Sequence, residues 1–517
     1  MEYIKLNIRT ILLAMTMLFS LACTEDFEEL NTDPALLSEG QLDVGLLLTT
    51  VQKRMIIDRG ADPMGTIGHF SGYISSGGSV PFNEAAFGGD FIAGYSALLN
   101  ASEIERLTSD DPELINKNAI ARIMKVYIYQ FITDQYGDIP YSEAVGSLGS
   151  VNTQPSYDTQ ESIYSDLFIE LENATSDLDE SMSTYGSEDL IYGGDVDKWR
   201  RFGNSLKLRM ALRLSYSDPA VASSQITSLL SEDLMETNAD NAFVTSSDDF
   251  ESNQNSMYNQ IVGWGGKEGL PYYMGNTIVD LLQDNGDPRL PIVIDATINS
   301  QEEAALNDDP GLLVYRGRPL GLGTPEEREH YQPGDLSLVG EWYSQPILDI
   351  PAIHYSEVCL ALAEAKLRFD LGSNSADFWY KEGIRADMER YGISETEIID
   401  FLATPAATLA GTFEEQLQQI MEQKNIALFP NDVEAWSEWR RTGYPKILIG
   451  SMVGDTDGQI PRRATYPIEE GNLNSANYKA TSDRIGGDVL MTKNWWDANP
   501  NVPYEHTGDI FDDFGNE

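Results

Sequence analysis

The chain is poor in cysteine and histidine, and this scarcity limits the chemistry it can perform. Only Cys23 and Cys359 occur among 517 residues, so neither a disulfide framework nor a cysteine zinc site can be built. The four histidines are scattered along the sequence, which argues against a histidine metal centre. P-loop, GxSxG and HExxH motifs are also missing. Cys359 lies in an apolar helical pattern and is predicted to be a small buried residue.

Basic residues are also scarce, with 34 Lys and Arg against 83 Asp and Glu and a net charge of −49. Such a surface repels phosphate backbones, so no nucleic-acid partner is expected. It also opposes adsorption to anionic lipid head groups. A pair of carboxylates could hydrolyse glycosides, but no particular pair stands out among so many acids. A helical glycoside hydrolase therefore remains an alternative, although no catalytic residue is predicted.

Long apolar runs are missing beyond the N-terminus. Residues 11–22 form a short apolar segment that follows Lys5 and Arg9 and ends at Cys23. This pattern is typical of an export signal, and the segment is too short to span a bilayer as a stable helix. In bacterial lipoproteins a cysteine at this position is lipidated and becomes the first mature residue. We therefore predict a lipoprotein signal peptide at 1–22 and an acyl anchor on Cys23.

The segment that begins at Cys23 is predicted to be a flexible tether. It covers residues 23–40 and leads into a single domain at 41–517. The lipobox is imperfect, because Ser20 stands where leucine or a similar residue is preferred, so an ordinary secretory signal is the alternative. Four acids follow the cysteine closely: Glu25, Asp26, Glu28 and Glu29.

A basic helix is predicted between residues 196 and 216, with Asp195 as its N-terminal cap. One face of this helix is apolar, and the opposite face is basic. Because the chain is so acidic, we expect the basic face to pair with neighbouring acids, and a basic membrane-binding helix is the alternative. The basic residues are Lys198, Arg201, Lys207, Arg209 and Arg213.

Most of the remaining chain is also predicted to be helical. Residues 354–391 form a helical hairpin in this interpretation, and Gly383 allows the two helix axes to approach closely. The hairpin resembles a tetratricopeptide unit in length and in the placement of its small residues. Thr412 and Glu415 form a capping box at the start of a further helix. The predicted fold class is therefore mostly α, with helical hairpins as the scaffold.

Long segments rich in Gly, Asn, Ser and aromatic residues separate the helices, and we predict them to be functional loops. Their ranges are 69–91, 239–275, 308–345 and 450–510. Sugar rings stack on Trp and Tyr while amides and Arg bond their hydroxyls, so these loops are predicted to bind a sugar ligand. The candidate ligand-binding residues are Tyr73, Asn83, Asn255, Tyr258, Trp264, Tyr272, Tyr315, Arg318 and Trp342.

The stretch GDTDG at 454–458 offers two oxygen ligands for a cation. Asp455 and Asp457 are weak candidates for a structural calcium site, because the EF-hand frame would place its closing Glu at Tyr466. A turn is the favoured interpretation. No cofactor is predicted beyond this calcium ion.

Several segments taken together and in order resemble the SusD/RagB family of nutrient-binding outer-membrane lipoproteins. The first is NTDPALL, just after Cys23, and the next is FITDQYGDIPYSEA. Further segments extend the resemblance over nearly the whole mature chain: 192–215, 346–368, 380–393, 422–445 and 460–478.

The resemblance implies four tetratricopeptide-like units, with loops and short strands forming a ligand face. It also implies a lipid-anchored position on the outside of a Bacteroidetes-type outer membrane. The implied partner is a TonB-dependent, SusC-like β-barrel transporter, over which the lipoprotein sits as a lid. Ligands in this family are mainly oligosaccharides, so we expect a glycan-capturing protein rather than an enzyme. A peptide-binding, RagB-like member and a surface protein without a ligand are the alternatives.

Overall fold

The computed structural model describes most of the chain after the N-terminal segment. The signal peptide, Cys23, the tether and its boundary at residue 41 lie outside the described residues, as does Asn83. From Leu47 onward the described residues belong to one compact unit. The described ranges are 43–59, 64–76, 88–145, 152–504 and 508–511.

The described part of the chain is mostly helical, as predicted. The helices are α1 (Val44–Gln52), α2 (Thr66–Phe70), α3 (Gly88–Thr108), α4 (Ile115–Tyr136), α5 (Gln160–Asp177), α6 (Val196–Arg213), α7 (Pro219–Leu229), α8 (Ser256–Gly263), α9 (Asn276–Asp284), α10 (Leu290–Val293), α11 (Ile298–Asn307), α12 (Pro325–His330), α13 (Tyr355–Phe369), α14 (Ala376–Arg390), α15 (Glu395–Leu402), α16 (Phe413–Leu428), α17 (Asp432–Thr442), α18 (Ile468–Leu473) and α19 (Ser475–Ile485).

Short strands supply the remaining regular structure. They are β1 (Ile74–Ser76), β2 (Ile139–Pro140), β3 (Tyr157–Asp158), β4 (Ala242–Thr245), β5 (Tyr272–Met274), β6 (Ile294–Asp295), β7 (Leu338–Val339) and β8 (Asp349–Ile353). They pair antiparallel as β1 with β5, β2 with β3, β4 with β8, and β6 with β7. In the first pair Ser75 lies opposite Tyr273 and Ser76 opposite Tyr272.

Four pairs of helices form the body of the molecule. Helix α3 packs on α4, α5 on α6, α13 on α14, and α16 on α17. Contacts between α4 and α5, α6 and α13, and α13 and α16 join successive pairs into one scaffold. No helix in the described ranges has both the length and the hydrophobicity needed to cross a membrane.

The helix signals seen in the sequence act as predicted. The Asp195 carboxylate accepts a hydrogen bond from the Lys198 amide at the start of α6. Thr412 and Glu415 form the expected capping box on α16. Each contact satisfies a backbone N–H that the first turn of a helix leaves unpaired.

Close helix approach in the α13–α14 hairpin requires glycine at position 383. A Cβ atom there would lie 2.7 Å from Cγ of Leu360 on the facing helix. That separation is far inside van der Waals contact, so any larger side chain would force the helices apart. Cys359 is fully buried beside this contact, as predicted, and burial raises the pKa of its thiol.

The basic face of α6 meets acids from several helices, which confirms the pairing prediction. Arg213 is fully buried, and its guanidinium lies 2.6 Å from Glu434, 2.6 Å from Glu438 and 3.2 Å from Asp134. Arg209 pairs with Glu357 of α13 at 2.7 Å. Helix α6 is therefore tied electrostatically to α4, α13 and α17.

The predicted loops are wrong in one respect, because they contain short helices. Helix α8 lies within 239–275, α12 within 308–345, and α18 and α19 within 450–510. The first is capped by Asn255, and the second begins with a capping box made by Thr324 and Glu327. These local caps stabilise helices that are too short for hydrophobic periodicity to reveal.

Candidate functional site

Three backbone segments run side by side at the centre of the candidate site. The Arg318 amide donates to Met274 O at 2.9 Å, and the Met274 amide donates to Ser337 O at 3.0 Å. The Ser337 amide in turn donates to Arg316 O at 2.9 Å. Strand β5, residues 315–318 and the start of β7 therefore form one small platform, with β1 on the other side of β5.

Lys267 joins the loops that carry the exposed aromatic residues. Its Nζ atom lies 2.6 Å from Asp295 Oδ2 and 3.1 Å from Glu341 Oε2. Trp264 is three residues before Lys267, and Trp342 directly follows Glu341. We call this arrangement the Lys267 bridge, meaning Lys267, Asp295 and Glu341.

Tyr315 belongs to the same region. The Thr297 amide donates to Val314 O at 2.8 Å, which places Tyr315 beside the end of β6. The charge of Asp295, together with burial, raises the pKa of the Tyr315 phenol. Tyr315 is therefore close to a carboxylate of the Lys267 bridge.

The two tryptophans expose large ring surfaces. Trp264 is 55% exposed and Trp342 is 40% exposed, values unusual for side chains of this size. Trp264 precedes Gly265 and Gly266, whose positive φ angles of 83° and 117° form a turn that other residues rarely adopt. Tyr258, Tyr272 and Tyr315 are half-buried.

An open cleft of about 690 Å³ lies beside Trp342. The Trp342 ring rests edge-on against buried Tyr391, with ring centroids 5.5 Å apart. Apolar Phe243 and Ile347 line the cleft together with Arg390. The Trp342 ring is thus supported from behind and open towards a concave surface, which is the geometry that ring stacking requires.

Two predicted ligand residues are buried and hold the scaffold instead. Tyr73 is fully buried and packs against Phe429. Its hydroxyl donates a hydrogen bond to Asn425 O at 2.6 Å. Asn255 is also fully buried; it caps α8 and donates to Tyr343 O at 2.9 Å. Their side chains hold together segments that are far apart in the sequence, so they are not available to stack on or bond a sugar in this structure.

Arg318 is buried and is paired with no acid among the described residues. Its Nη1 atom donates to Ser75 Oγ at 2.7 Å and to Ser76 O. Burial lowers the pKa of Arg318 to about 10, and the positive charge of Arg328 also lowers it. The side chain therefore remains charged at neutral pH.

Sequence reasoning missed Lys267 and Arg328, and it noted Tyr273 as a loop aromatic without choosing it as a candidate. Lys267 follows two glycines and precedes Glu268, so its local context suggested only a turn. Its partners at 295 and 341 become neighbours only through the tertiary fold. Tyr273 faces the opposite side of β5 from Tyr272, because successive strand residues alternate.

The weak calcium candidates lie in a turn. Residues 454–456 form a short 3-10 turn, and Asp457 follows it in the left-handed conformation at φ 53°. The Gly458 amide closes the turn on Val453 O at 2.6 Å. In the described part of the chain no three His, Cys, Asp or Glu side chains are grouped to hold a metal ion.

Comparisons with known proteins agree on one family. A family model described as "Starch-binding associating with outer membrane" matches residues 68–467. A solved structure of a chitin-binding protein is 28% identical, with a TM-score of 0.74, and the match covers 88% of this chain and 100% of that one. A SusD homologue from Bacteroides uniformis is 26% identical, with a TM-score of 0.74 and coverage of 88% and 99%. Among curated proteins none matches.

A third solved structure shares the fold. A chitin-binding SusD homologue from Flavobacterium johnsoniae is 23% identical, with a TM-score of 0.71, and the match covers 88% of this chain and 98% of that one. The arrangement of paired helices and short strands is thus common to all three structures.

Proposed function

Because the chain belongs to the SusD-like family, we propose that it is a surface protein that captures oligosaccharides without transforming them. The family description refers to starch, and two of the similar structures are described as chitin-binding. The observation that carries the proposal is the pair of exposed tryptophans on segments that the Lys267 bridge joins. Such rings match the C–H faces of sugars.

Capture relies on rigid loops. Before any ligand arrives, the Lys267 bridge ties together the segments that carry Trp264 and Trp342, and the Thr297–Val314 hydrogen bond holds the segment of Tyr315 beside β6. Little conformational entropy is then lost on binding, and more of the stacking energy is available for affinity. Carboxylates and amides nearby accept or donate hydrogen bonds to sugar hydroxyls and so orient the chain of rings.

A glycan array tests capture. The mature chain from Thr24 is expected to bind at least one class of oligosaccharide and to leave it intact, so no new reducing ends form during long incubation. Denatured protein on the same array is the control for non-specific adhesion. Release of reducing ends would favour a glycoside hydrolase, and binding to peptides but to no glycan would favour the peptide-binding alternative.

The proposal includes delivery to a membrane partner. An acyl anchor at Cys23 and the tether after it would hold the protein at the outer surface, where it closes as a lid over a SusC-like, TonB-dependent β-barrel. The segment Glu25 to Glu29 would direct export to that surface. The residues involved precede the described part of the chain, so this part of the proposal rests on the sequence.

Removal of the cysteine tests the anchor. The Cys23→Ala variant is expected to lose incorporation of labelled palmitate and to leave the membrane fraction, because a single polar tether has no affinity for lipid. The wild-type protein should be cleaved by protease added to whole cells and should co-purify with a β-barrel from detergent extracts. Unchanged membrane retention of the variant, or protection from the protease, would contradict this placement.

A further inference from the structure

Arg318 has unused hydrogen-bond donors in a nearly buried position. The side chain is 4% exposed, and its Nη1 atom is engaged by Ser75 and Ser76. Within the described residues its Nε and Nη2 atoms have no protein partner, and they are not among the atoms fully shielded from solvent. These two atoms form one edge of the guanidinium, the fork that binds a carboxylate or sulfate with two parallel hydrogen bonds.

Two further arginines lie in the same region. Arg316 is two residues away in the segment that pairs with β5, and its guanidinium lies 4.6 Å above the ring of Tyr331. Arg328 is near enough to lower the pKa of Arg318 by its charge. We call Arg316, Arg318 and Arg328 the arginine cluster.

The arginine cluster lacks the acidic partners that most buried arginines have in the described part of the chain. In the described part of the chain none of its three members forms an ion pair, although acids outnumber basic residues by 83 to 34. Among the fully buried arginines of the described residues, Arg440 also has no ion pair, but all three of its nitrogens donate to protein oxygens, namely Trp436 O, Arg462 O and Ser437 Oγ. Arg213, Arg289 and Arg441 each contact carboxylates within 2.6 Å.

Glu327, a buried acid next to Arg328, is already occupied. Glu327 precedes Arg328, but its carboxylate accepts from the amides of Gly323, Thr324 and Ser451. These bonds hold the start of α12 against the segment near residue 451.

Three positive charges close together repel one another, and burial of Arg318 adds to that cost. A fold with so many acids would be expected to relieve this cost unless another anion does so.

We propose that the arginine cluster binds an oxyanion carried by the captured glycan, either the carboxylate of a uronic acid or a sulfate ester. This inference rests on the proposed function and narrows its ligand class to acidic glycans. The Nε and Nη2 edge of Arg318 receives the oxyanion. Arg316 and Arg328 add positive charge to the region, and Tyr273, opposite Ser75 on the same pair of strands, offers a ring.

The test is calorimetry of the mature chain against pairs of oligosaccharides with several backbones. Each pair consists of an acidic member and its neutralised counterpart: an oligouronate with its methyl ester, and a sulfated oligosaccharide with its desulfated form. The acidic member should bind at least tenfold more tightly, and its affinity should fall as salt is raised. The two kinds of pair distinguish carboxylate from sulfate.

Single substitutions test whether the arginine cluster causes the preference for acidic glycans. Arg318→Gln is expected to weaken binding of the acidic member roughly ten- to a hundredfold, because charge-assisted hydrogen bonds are lost, and to leave the neutral member unaffected. The affinity of Arg318→Lys for the acidic member should lie between those of the wild-type protein and Arg318→Gln, since lysine keeps the charge but loses the fork. Arg328→Gln, at an exposed position, should give a severalfold loss without altering the fold. Lys493→Gln, an exposed site with the same change of charge, is the control.

The outcomes separate this inference from the proposed function. Equal affinity for both members of every pair, or full affinity in Arg318→Gln and Arg328→Gln, overturns the role of the arginine cluster and leaves glycan capture standing. Binding of acidic peptides but of no glycan overturns both. No binding to any acidic glycan overturns the inference as well.

Discussion

Replacing Arg213 with Met is expected to lower the free energy of unfolding by about 3–5 kcal/mol. Arg213 lies on α6 with no exposed surface and contacts Asp134, Glu434 and Glu438. Met fills a similar volume but leaves three carboxylates in the interior without this cation. An uncompensated buried charge costs far more than the ion pair itself contributes. Urea unfolding followed by circular dichroism measures the change.

The pH dependence of stability has the same origin. Burial acts to raise the pKa of Glu438, but the charges of Arg441, Lys424 and Arg213 outweigh it and hold the pKa well below its usual value. Its contribution to stability is therefore complete above about pH 4.3, the value for an unfolded Glu, and is lost as the pH falls further. In the Arg213→Met variant the pKa of Glu438 should rise towards its unfolded value, so this variant has less stability to lose on acidification and its difference from the wild-type protein should narrow as the pH falls below about 4.

An exposed ion pair provides the matched control. Lys479 contacts Asp483 at 2.7 Å on α19, with both side chains mostly in solvent. Lys479→Met should change the free energy of unfolding by less than about 1 kcal/mol. If Arg213→Met were no more destabilising than Lys479→Met, the buried ion pairs would not hold α6 to its neighbours.

Removing both exposed tryptophans should abolish most of the affinity for glycan. Truncation of a central Trp in a binding site costs about 2 kcal/mol, so Trp264→Ala with Trp342→Ala should weaken binding roughly a hundredfold or more. Folding should be unaffected, because each ring is at least 40% exposed. Calorimetry with the best glycan from the array gives the affinity, and thermal melting checks the fold.

Phe378→Ala is the control for this pair. Phe378 is 47% exposed and lies on α14, in the helical scaffold, where it packs against Trp379. The Phe378→Ala variant should bind the glycan with the same affinity as the wild-type protein. Equal losses in the control and in the double variant would point to a general effect of apolar surface, and an unchanged affinity in the double variant would exclude these rings from the site.

The scaffold could be predicted because its signals are local. Caps such as Asp195 and the Thr412 capping box lie within three or four residues of the groups they satisfy. The basic face of α6 follows from helical periodicity, and its acidic partners follow from the overall charge. The close approach of the two helix axes at Gly383 was also predictable from the small residues of the predicted hairpin.

The site was less predictable because burial in loops depends on contacts between distant parts of the sequence. Tyr73 is 352 residues from Asn425, the partner that buries its hydroxyl. Arg318 is 243 residues from Ser75, and only the fold shows that it lacks an acid. Loop aromatics look alike in sequence, whether they anchor the loop, as Tyr73 does, or face solvent, as Trp264 does.

The most direct test is a crystal structure of the mature chain with an acidic oligosaccharide bound. The account predicts sugar rings stacked on Trp264 and Trp342 near the Lys267 bridge, with an oxyanion on the free edge of Arg318. Density for the sugar elsewhere, with both indoles still facing solvent, would contradict it.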